Sequence, residues 1–493
     1  MTLHESLLDT VGNTPLVRLT RIASGVPAPI YAKVEFFNPA SSVKDRAALG
    51  MVLAAEKSGA LAPGGVIVEG TSGNTGMALA MIAAQRGYGS IVVVPDRTSP
   101  EKIKTLRAYG AEVVVTTGAL PREHPEHVRN VAARLAERTP GAWYANQYDN
   151  PANPEAHRTT TGPEIWAETG GRVTHFVVGV GTGGTVTGTG GFLKEASGGL
   201  VQVIGADPLT STYSGGDGSP YYVESIGHYL HPQTAEDEYP ESYDPSVVDR
   251  FERIGDRESI TVVRRLAREE GILAGGSAGT AVAAALRVAA TLTPDDLVVV
   301  LLPDSGRGYL SKYFDDEWLR RFGFLEDLTG RPTVADVLGD RPVPRTALPS
   351  TATVADALGG DFTAAGALVP VRLPRSGDNA TTDVSEVIGA VRPDALRALV
   401  AGDPPASAAP LHGHLLPSPP AVGIGEPVDE AAARLAEDAA GTAWVLIDGR
   451  VSGTVTHDAL RQATGHVPAA RDAGPAGRAT PPDVGGRDGA ARS

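Results

Sequence analysis

Apolar and polar positions alternate with two different periods along the first two-thirds of the chain. Short runs rich in Val and Ile, bounded by Gly, Pro or polar residues, predict strands at Ile30–Val34, Val66–Glu69, Ile91–Val94, Glu112–Val115, His175–Val180, Val203–Ala206 and Leu297–Leu301. Between most of them, apolar residues recur at helical spacing. This predicts helices over Met77–Arg86, Glu101–Tyr109, Val128–Arg138, Ile260–Glu270 and Thr280–Ala290. Another follows residue 44, with Ala47, Ala48, Met51, Val52 and Ala55 on one face. Such alternation defines an α/β protein, doubly wound on parallel sheet. Ligands of these folds collect where strands end and helices begin, so the loops after strands carry the candidate chemistry.

Lys44 stands in Ser41-Ser42-Val43-Lys44-Asp45-Arg46, where Ser42 and Asp45 have the Ser-x-x-Asp form of a helix start. In a first helical turn the dipole opposes a further positive charge and favours the neutral amine. That form attacks an aldehyde to make an imine. The alternative is a solvated surface lysine, the ordinary fate of this residue type. After Val66–Glu69 comes Gly70-Thr71-Ser72-Gly73-Asn74-Thr75-Gly76 and then a helix. Small residues, hydroxyls and free N–H groups there form an anion site, and without a P-loop lysine a carboxylate suits it better than a triphosphate. After His175–Val180 comes Gly181-Thr182-Gly183-Gly184-Thr185-Val186-Thr187-Gly188, which suits a phosphate monoester held by backbone amides. Gly179, Gly181 and Gly184 also fit G-x-G-x-x-G, a pattern that plain turns share. In a third loop, Gly275-Gly276-Ser277-Ala278-Gly279, Ser277 reads as a ligand contact or as a helix cap. An imine-forming lysine, a carboxylate loop and a phosphate loop together describe a pyridoxal-phosphate enzyme.

Composition narrows the picture. A length of 493 residues suggests roughly three domains, and 42% hydrophobic content is enough for ordinary globular cores. The net charge of −15, without any basic run, argues against a nucleic-acid partner. The chain has no cysteine, which excludes disulfides, thiolate metal sites and cysteine nucleophiles. Met1-Thr2-Leu3-His4-Glu5 lacks the basic start and apolar run of a signal peptide, and no stretch is apolar enough to span a membrane. A soluble, cytoplasmic protein with no membrane partner is expected. His228 and His231 have no carboxylate or third histidine at ligand spacing, so no metal is expected.

Residues 6 to about 325 resemble the fold-type II pyridoxal-phosphate enzymes of β-replacement, the family of cystathionine β-synthase and cysteine synthase. The matching motifs run in order: Val11-Gly12-Asn13-Thr14-Pro15-Leu16, Ser42 to Arg46, Thr71 to Gly76, Gln147-Tyr148, Gly181 to Thr185, Gly275 to Gly279 and Leu302-Pro303-Asp304-Ser305. Gly308 to Trp318 looks closer to the cystathionine-forming members. The resemblance implies that Lys44 holds the cofactor and later moves the Cα proton. It implies that Asn74 bonds the phenolic oxygen, that Gly181, Thr182, Gly183, Gly184 and Thr185 cradle the phosphate, and that Ser277 faces the ring nitrogen. Thr71, Ser72, Gly73, Thr75 and Gln147 would grip the substrate carboxylate. The implied reaction condenses L-serine with homocysteine to cystathionine and water through an aminoacrylate. The alternative is cysteine synthesis from O-acetyl- or O-phosphoserine and sulfide. A non-catalytic nucleotide-sensing protein is a third reading, which the intact Lys44, Asn74 and Ser277 oppose. A homodimer or homotetramer is expected. With no haem-binding extension and no cysteine to ligate iron, no haem is expected.

Some positions depart from the family pattern. Gly70 stands where Pro is usual, Ser41 where Gly is usual, and Ser225-Ile226-Gly227 where Gly-x-Gly is usual. His228 replaces a tyrosine of several relatives, and the acidic segment His231 to Asp244 looks inserted. These changes bear on the substrates rather than on the cofactor.

From about Thr329 the composition shifts towards Ala, Pro and Asp, and Val387–Arg397 aligns with Val451–Arg461, 64 positions later. A helix start and a strand precede each copy: Thr353–Leu358 with Leu368–Val371, and Pro427–Ala432 with Ala443–Ile447. This predicts a catalytic domain over 1–325 and a Bateman-type pair of degenerate repeats over 329–465, at about 333–400 and 408–465. Such modules often take adenosyl ligands through Thr-x-x-Asp, but counting on from Thr456 puts Ala459 where the aspartate belongs. An assembly role is therefore an equal reading. Residues 466–493, rich in Gly, Ala, Pro, Arg and Asp, are expected to be disordered.

Overall fold

The computed structural model describes residues 3–464 apart from 119, 328, 340–346, 360–367, 376–380, 437 and 439–440. The tail expected from 466 lies outside the described residues. Two sheets build the first part of the chain. One takes β1 (Leu16–Leu19) and β2 (Ile30–Val34). The other is formed by β3 (Val66–Gly70), β4 (Gly89–Pro95), β5 (Glu112–Thr116) and β6 (Ala142–Tyr144), all parallel, in the order β5-β4-β3-β6. The first sheet is completed by β7 (His175–Gly179), β8 (Gln202–Pro208), β9 (Arg250–Ile254) and β10 (Val298–Leu302), in the order β1-β2-β10-β7-β8-β9. Only β1 runs antiparallel to its neighbour there. Each of the seven expected strands is present, with ends shifted by two residues at most. The unforeseen ones are β1, β6 and β9. All three are sheet edges: β1 and β9 expose Arg18, Arg250 and Arg253, and β6 has only three, half-buried residues, so none carries a long buried apolar run. Central β10 is buried at all five positions, as a strand covered on both faces must be.

The helices are α1 (Lys44–Ser58), α2 (Asn74–Arg86), α3 (Pro100–Ala108), α4 (Val128–Arg138), α5 (Ala152–Thr159), α6 (Thr161–Glu168), α7 (Gly184–Ala196), α8 (Asp256–Arg265) and α9 (Gly276–Ala289). The predicted Ile260–Glu270 helix is α8 begun four residues earlier, followed by a π-turn over Leu266–Glu270. Buried Ala278, Ala281, Val282 and Ala285 press α9 onto one face of the six-stranded sheet. A β-carbon on Gly279 would lie 2.1 Å from the Ser259 carbonyl oxygen, so only glycine permits that approach. Ile165, Val186 and Leu193 cover the opposite face.

After α10 (Asp316–Arg321) and α11 (Val334–Leu338), two small sheets follow. The first joins β11 (Leu348–Pro349), β12 (Val369–Arg372) and β13 (Val387–Val391), with α12 (Val354–Gly359) and α13 (Pro393–Gly402) beside it. The second joins β14 (Ala421–Gly423), β15 (Thr442–Ile447) and β16 (Arg450–Thr456), with α14 (Val428–Ala436) and α15 (His457–Thr464). Both show one parallel pair and then one antiparallel pair, and β13-α13 corresponds to β16-α15. Val334 and Leu338 of α11, however, pack into the core of the second sheet, although they open the first expected repeat. An aromatic seam beside α10 meets the second small sheet through Phe322. The Tyr222 ring lies 5.3 Å from Phe322 and 5.2 Å from Phe324, and Gly449 N donates to Phe322 O at 2.8 Å.

Candidate active site

The lysine hangs between two strands. Val43 N donates to Pro303 O at 2.7 Å, and Ser42 bridges Asp304, so the chain leaving β10 clamps the loop ahead of α1. Lys44 is the first residue of α1, as the spacing predicts, but the cap differs from the Ser-x-x-Asp expectation. Val43 occupies the cap position; Ser42 Oγ accepts from Lys44 N at 3.2 Å, and the Asp45 carboxylate accepts from Ala40 N. Asp45 thus fastens the loop instead of closing a box, and burial lifts its carboxyl to about 7. Burial lowers the Lys44 ammonium below the usual lysine range, while Asp304 and Glu35 oppose that shift. Desolvation is therefore the main cause of the weakened ammonium.

Gly73 caps α2 with φ +134°, and a β-carbon there would lie 2.7 Å from Lys102 Cδ. Thr71 Oγ1 accepts from Gly73 N at 3.1 Å, and Thr75 Oγ1 donates to Gln147 Oε1 at 2.5 Å. Gln147 rests on Glu69, donating through Nε2 at 3.3 Å. Glu69 is wholly enclosed, and burial raises its carboxyl to about 8. The structure thus joins the loop to the distant Gln147 through Thr75, while Thr71 and Gly73 bond each other and Ser72 is exposed. Asn74 Nδ2 donates to Asp304 Oδ2 at 2.7 Å, and Tyr309 OH donates to the same oxygen at 2.6 Å.

The third element is the turn into α7. Gly183 caps the helix at φ +88°, and a β-carbon there would overlap Tyr243. The apparently inserted acidic segment therefore supplies a wall of this loop. Asn153 Nδ2 donates to Gln147 O at 2.7 Å and to Thr182 Oγ1 at 3.2 Å. Thr185 Oγ1 meets His157 Nε2 at 3.2 Å, and His157 Nδ1 meets Thr161 Oγ1 at 2.9 Å. Burial, then Lys44 and Arg46, push His157 well below its usual range, so its ring is neutral at pH 7. Gly184→Ala would place a β-carbon 2.0 Å from Asn153 Oδ1. We expect this variant to lose most bound cofactor, read as absorbance per chain, while Gly191→Ala in the same helix keeps it.

Ser277 is not a cap. Gly275 holds that position, and the buried Ser277 Oγ has no hydrogen-bond partner. It lines a pocket shared with Lys44, Gly181, Thr182, Gly183 and Thr185. A buried lone hydroxyl wants a polar guest. An amine, a ring of backbone amides and this orphaned hydroxyl around one space fit pyridoxal phosphate. Asp304, Glu69, Asn153 and His157 complete the surroundings. Of these, only Asp304 lay within a motif, immediately after a strand. His228 pairs with Asp237 at 2.8 Å. Among the described residues no group of His, Cys, Asp and Glu is arranged to hold a metal, and no helix is long and apolar enough to cross a membrane.

The sheet order defines a mixed α/β protein, and the loops at its strand ends line a pocket whose groups fit pyridoxal phosphate. Residues 7–304 match the family described as "Pyridoxal-phosphate dependent enzyme", and the chain belongs to that family of enzymes. It is 41% identical to the cystathionine β-synthase of Apis mellifera over 327 residues, which is 65% of this chain and 63% of that one. It is 45% identical to a Bacillus subtilis (strain 168) protein named "Probable cysteine synthase" over 307 residues, 62% of this chain and 95% of that one. The chain thus spans less than two-thirds of the honeybee relative's length. The crystal structure of an O-ureido-L-serine synthase superposes with a TM-score of 0.58 at 43% identity, covering 64% of this chain and 96% of that one.

Proposed function

We propose that this chain catalyses β-replacement on L-serine, condensing it with homocysteine to cystathionine and water. The observation that carries the reading is one cavity holding both a buried, weakened lysine and an unpartnered Ser277 hydroxyl, rimmed by the loop into α7. When bound, the cofactor supplies an aldehyde and an electron sink that loosen the Cα proton and the β-substituent. The amides of Gly181, Gly183 and Gly184, with Thr182 and Thr185, hold its phosphate, and Asn74 holds its phenolic oxygen. Ser277 bonds the ring nitrogen without the charge that would keep that nitrogen protonated. Thr71, Ser72, Gly73, Thr75 and Gln147 orient the substrate carboxylate, the last two as a pair braced by Glu69. Lys44, whose ammonium burial weakens, takes the Cα proton and returns it.

Cysteine synthesis from an O-substituted serine and sulfide is the second reading, favoured by the match over nearly the whole of the Bacillus relative. The visible spectrum of the loaded enzyme separates them. We expect L-serine to displace the band of the lysine-linked cofactor and homocysteine to restore it. Restoration by sulfide alone would transfer the assignment. We further propose that the two small sheets form a regulatory or assembly module and that the enzyme works as a dimer or tetramer.

A further inference from the structure

Two hydroxyls that face the cavity are buried without a hydrogen-bond partner among the described residues: Ser277 and Ser225. Ser225 also adopts φ +66°, a left-handed conformation that disfavours a side chain. The strain is imposed from both sides. Glu224 is bound to Lys102 at 3.1 Å and also to Lys312, and its N–H donates to Tyr313 OH at 2.9 Å. Gly227 N donates to Val180 O at 2.7 Å. A glycine would sit here more easily, yet the position lining the ligand space carries a buried, unpartnered hydroxyl.

We infer that Ser225 Oγ donates a hydrogen bond to the β-oxygen of the amino-acid substrate and so selects substrates that carry one. This rests on the proposed β-replacement reading. The polar groups of the cofactor then have partners in Lys44, Asn74, Ser277 and the loop 181–185, and the substrate carboxylate has the loop 71–75 with Gln147. The β-substituent is the polar group left without a protein partner, and Ser225 is the lining hydroxyl left without a ligand.

The test uses the cofactor-loaded full chain, titrated spectrophotometrically with L-serine and with L-alanine, which lacks the β-oxygen. In Ser225→Ala and in Ser225→Gly, the apparent Kd for L-serine should rise about tenfold, the scale of one lost hydrogen bond, while that for L-alanine stays within about twofold. Only Ser225→Gly should raise Tm, because it alone relieves the left-handed strain. An unchanged serine-to-alanine ratio in Ser225→Ala overturns the inference. So does an equal weakening of both amino acids. A shift of the cofactor band before any amino acid is added also overturns it, since Ser225 would then contact the cofactor. If the wild-type chain takes up pyridoxal phosphate without a lysine-linked band, the parent reading fails and this inference falls with it.

Discussion

Lys44→Ala is expected to remove the visible band of the lysine-linked cofactor and to reduce turnover about a thousandfold or more, the scale of a lost proton-transfer group. The fold should survive, because the contacts that anchor the loop do not use the Lys44 side chain: Val43 N to Pro303 O, the Ser42–Asp304 bridge and Ala40 N to the Asp45 carboxylate. Lys44→Arg should fare no better, since a guanidinium stays protonated and forms no imine. Spectra of both variants after incubation with pyridoxal phosphate decide the matter. A full band in Lys44→Ala would mean attachment elsewhere. Lys102, whose Nζ lies 2.9 Å from Tyr309 OH, would be the next residue to mutate.

Arg46→Leu is expected to produce the largest loss of stability. Arg46 Nε binds Glu35 Oε2 at 2.7 Å, and Nη1 binds Glu164 Oε1 at 2.6 Å. Glu35 is 0% exposed, and Arg46 is 3% exposed. Removing the guanidinium strands a buried carboxylate, a change that costs about 3–5 kcal/mol. The cluster knots three segments together, since Glu164 of α6 also accepts from Asn13 N at 3.0 Å and Glu35 accepts from Thr14 Oγ1 at 2.7 Å. Urea unfolding should show the loss, and Arg46→Leu combined with Glu35→Leu should recover much of it. The pH dependence has a definite sign. Burial alone would raise the Glu164 carboxyl, but the bonds and charge of Arg46 outweigh it and hold the group at about 2, against an ordinary 4.5. A carboxyl depressed in the folded state stabilises above its unfolded value. This contribution is therefore complete above about 4.5 and is lost as pH falls towards 2. In Arg46→Leu that acid limb should flatten.

What was legible in the chain was local. Lys44, Thr71 to Thr75, Gly181 to Thr185 and Ser277 all lie on turns that open helices. There the backbone itself is the ligand group, so glycine and hydroxyl residues betray it. The pairings between distant residues gave no such signal, even where a partner such as Asn74 or Asp304 lay in a motif, because they depend on approach across the fold. Asn74 and Asp304 are separated by 230 positions and meet only through the sheet order. Asn153 and His157 lie in α5, where nothing in the pattern points towards the loop that they buttress. The acidic composition of 231–244 concealed Tyr243, whose Cβ and Cα crowd position 183 so closely that, at its left-handed φ, glycine suits it. Charged edge strands such as β9 are invisible to a search for apolar runs. At Ser277 both readings were chemically sound; the structure removes the cap reading, because Gly275 holds the cap position and Ser277 Oγ makes no hydrogen bond.

The placement of β2 beside β10 bears on how the polypeptide is made. The strand leading to the lysine pairs with residues 298–302, so for most of its synthesis the lysine loop has neither its neighbour nor its Pro303 anchor. Folding of the amino-terminal part can begin with the four-stranded sheet, whose members lie between 66 and 144. The lysine itself must wait for a partner more than 250 residues downstream, a long loop to close. A cofactor held by Lys44 would accordingly find its complete site only after the ribosome has released about three-fifths of the chain.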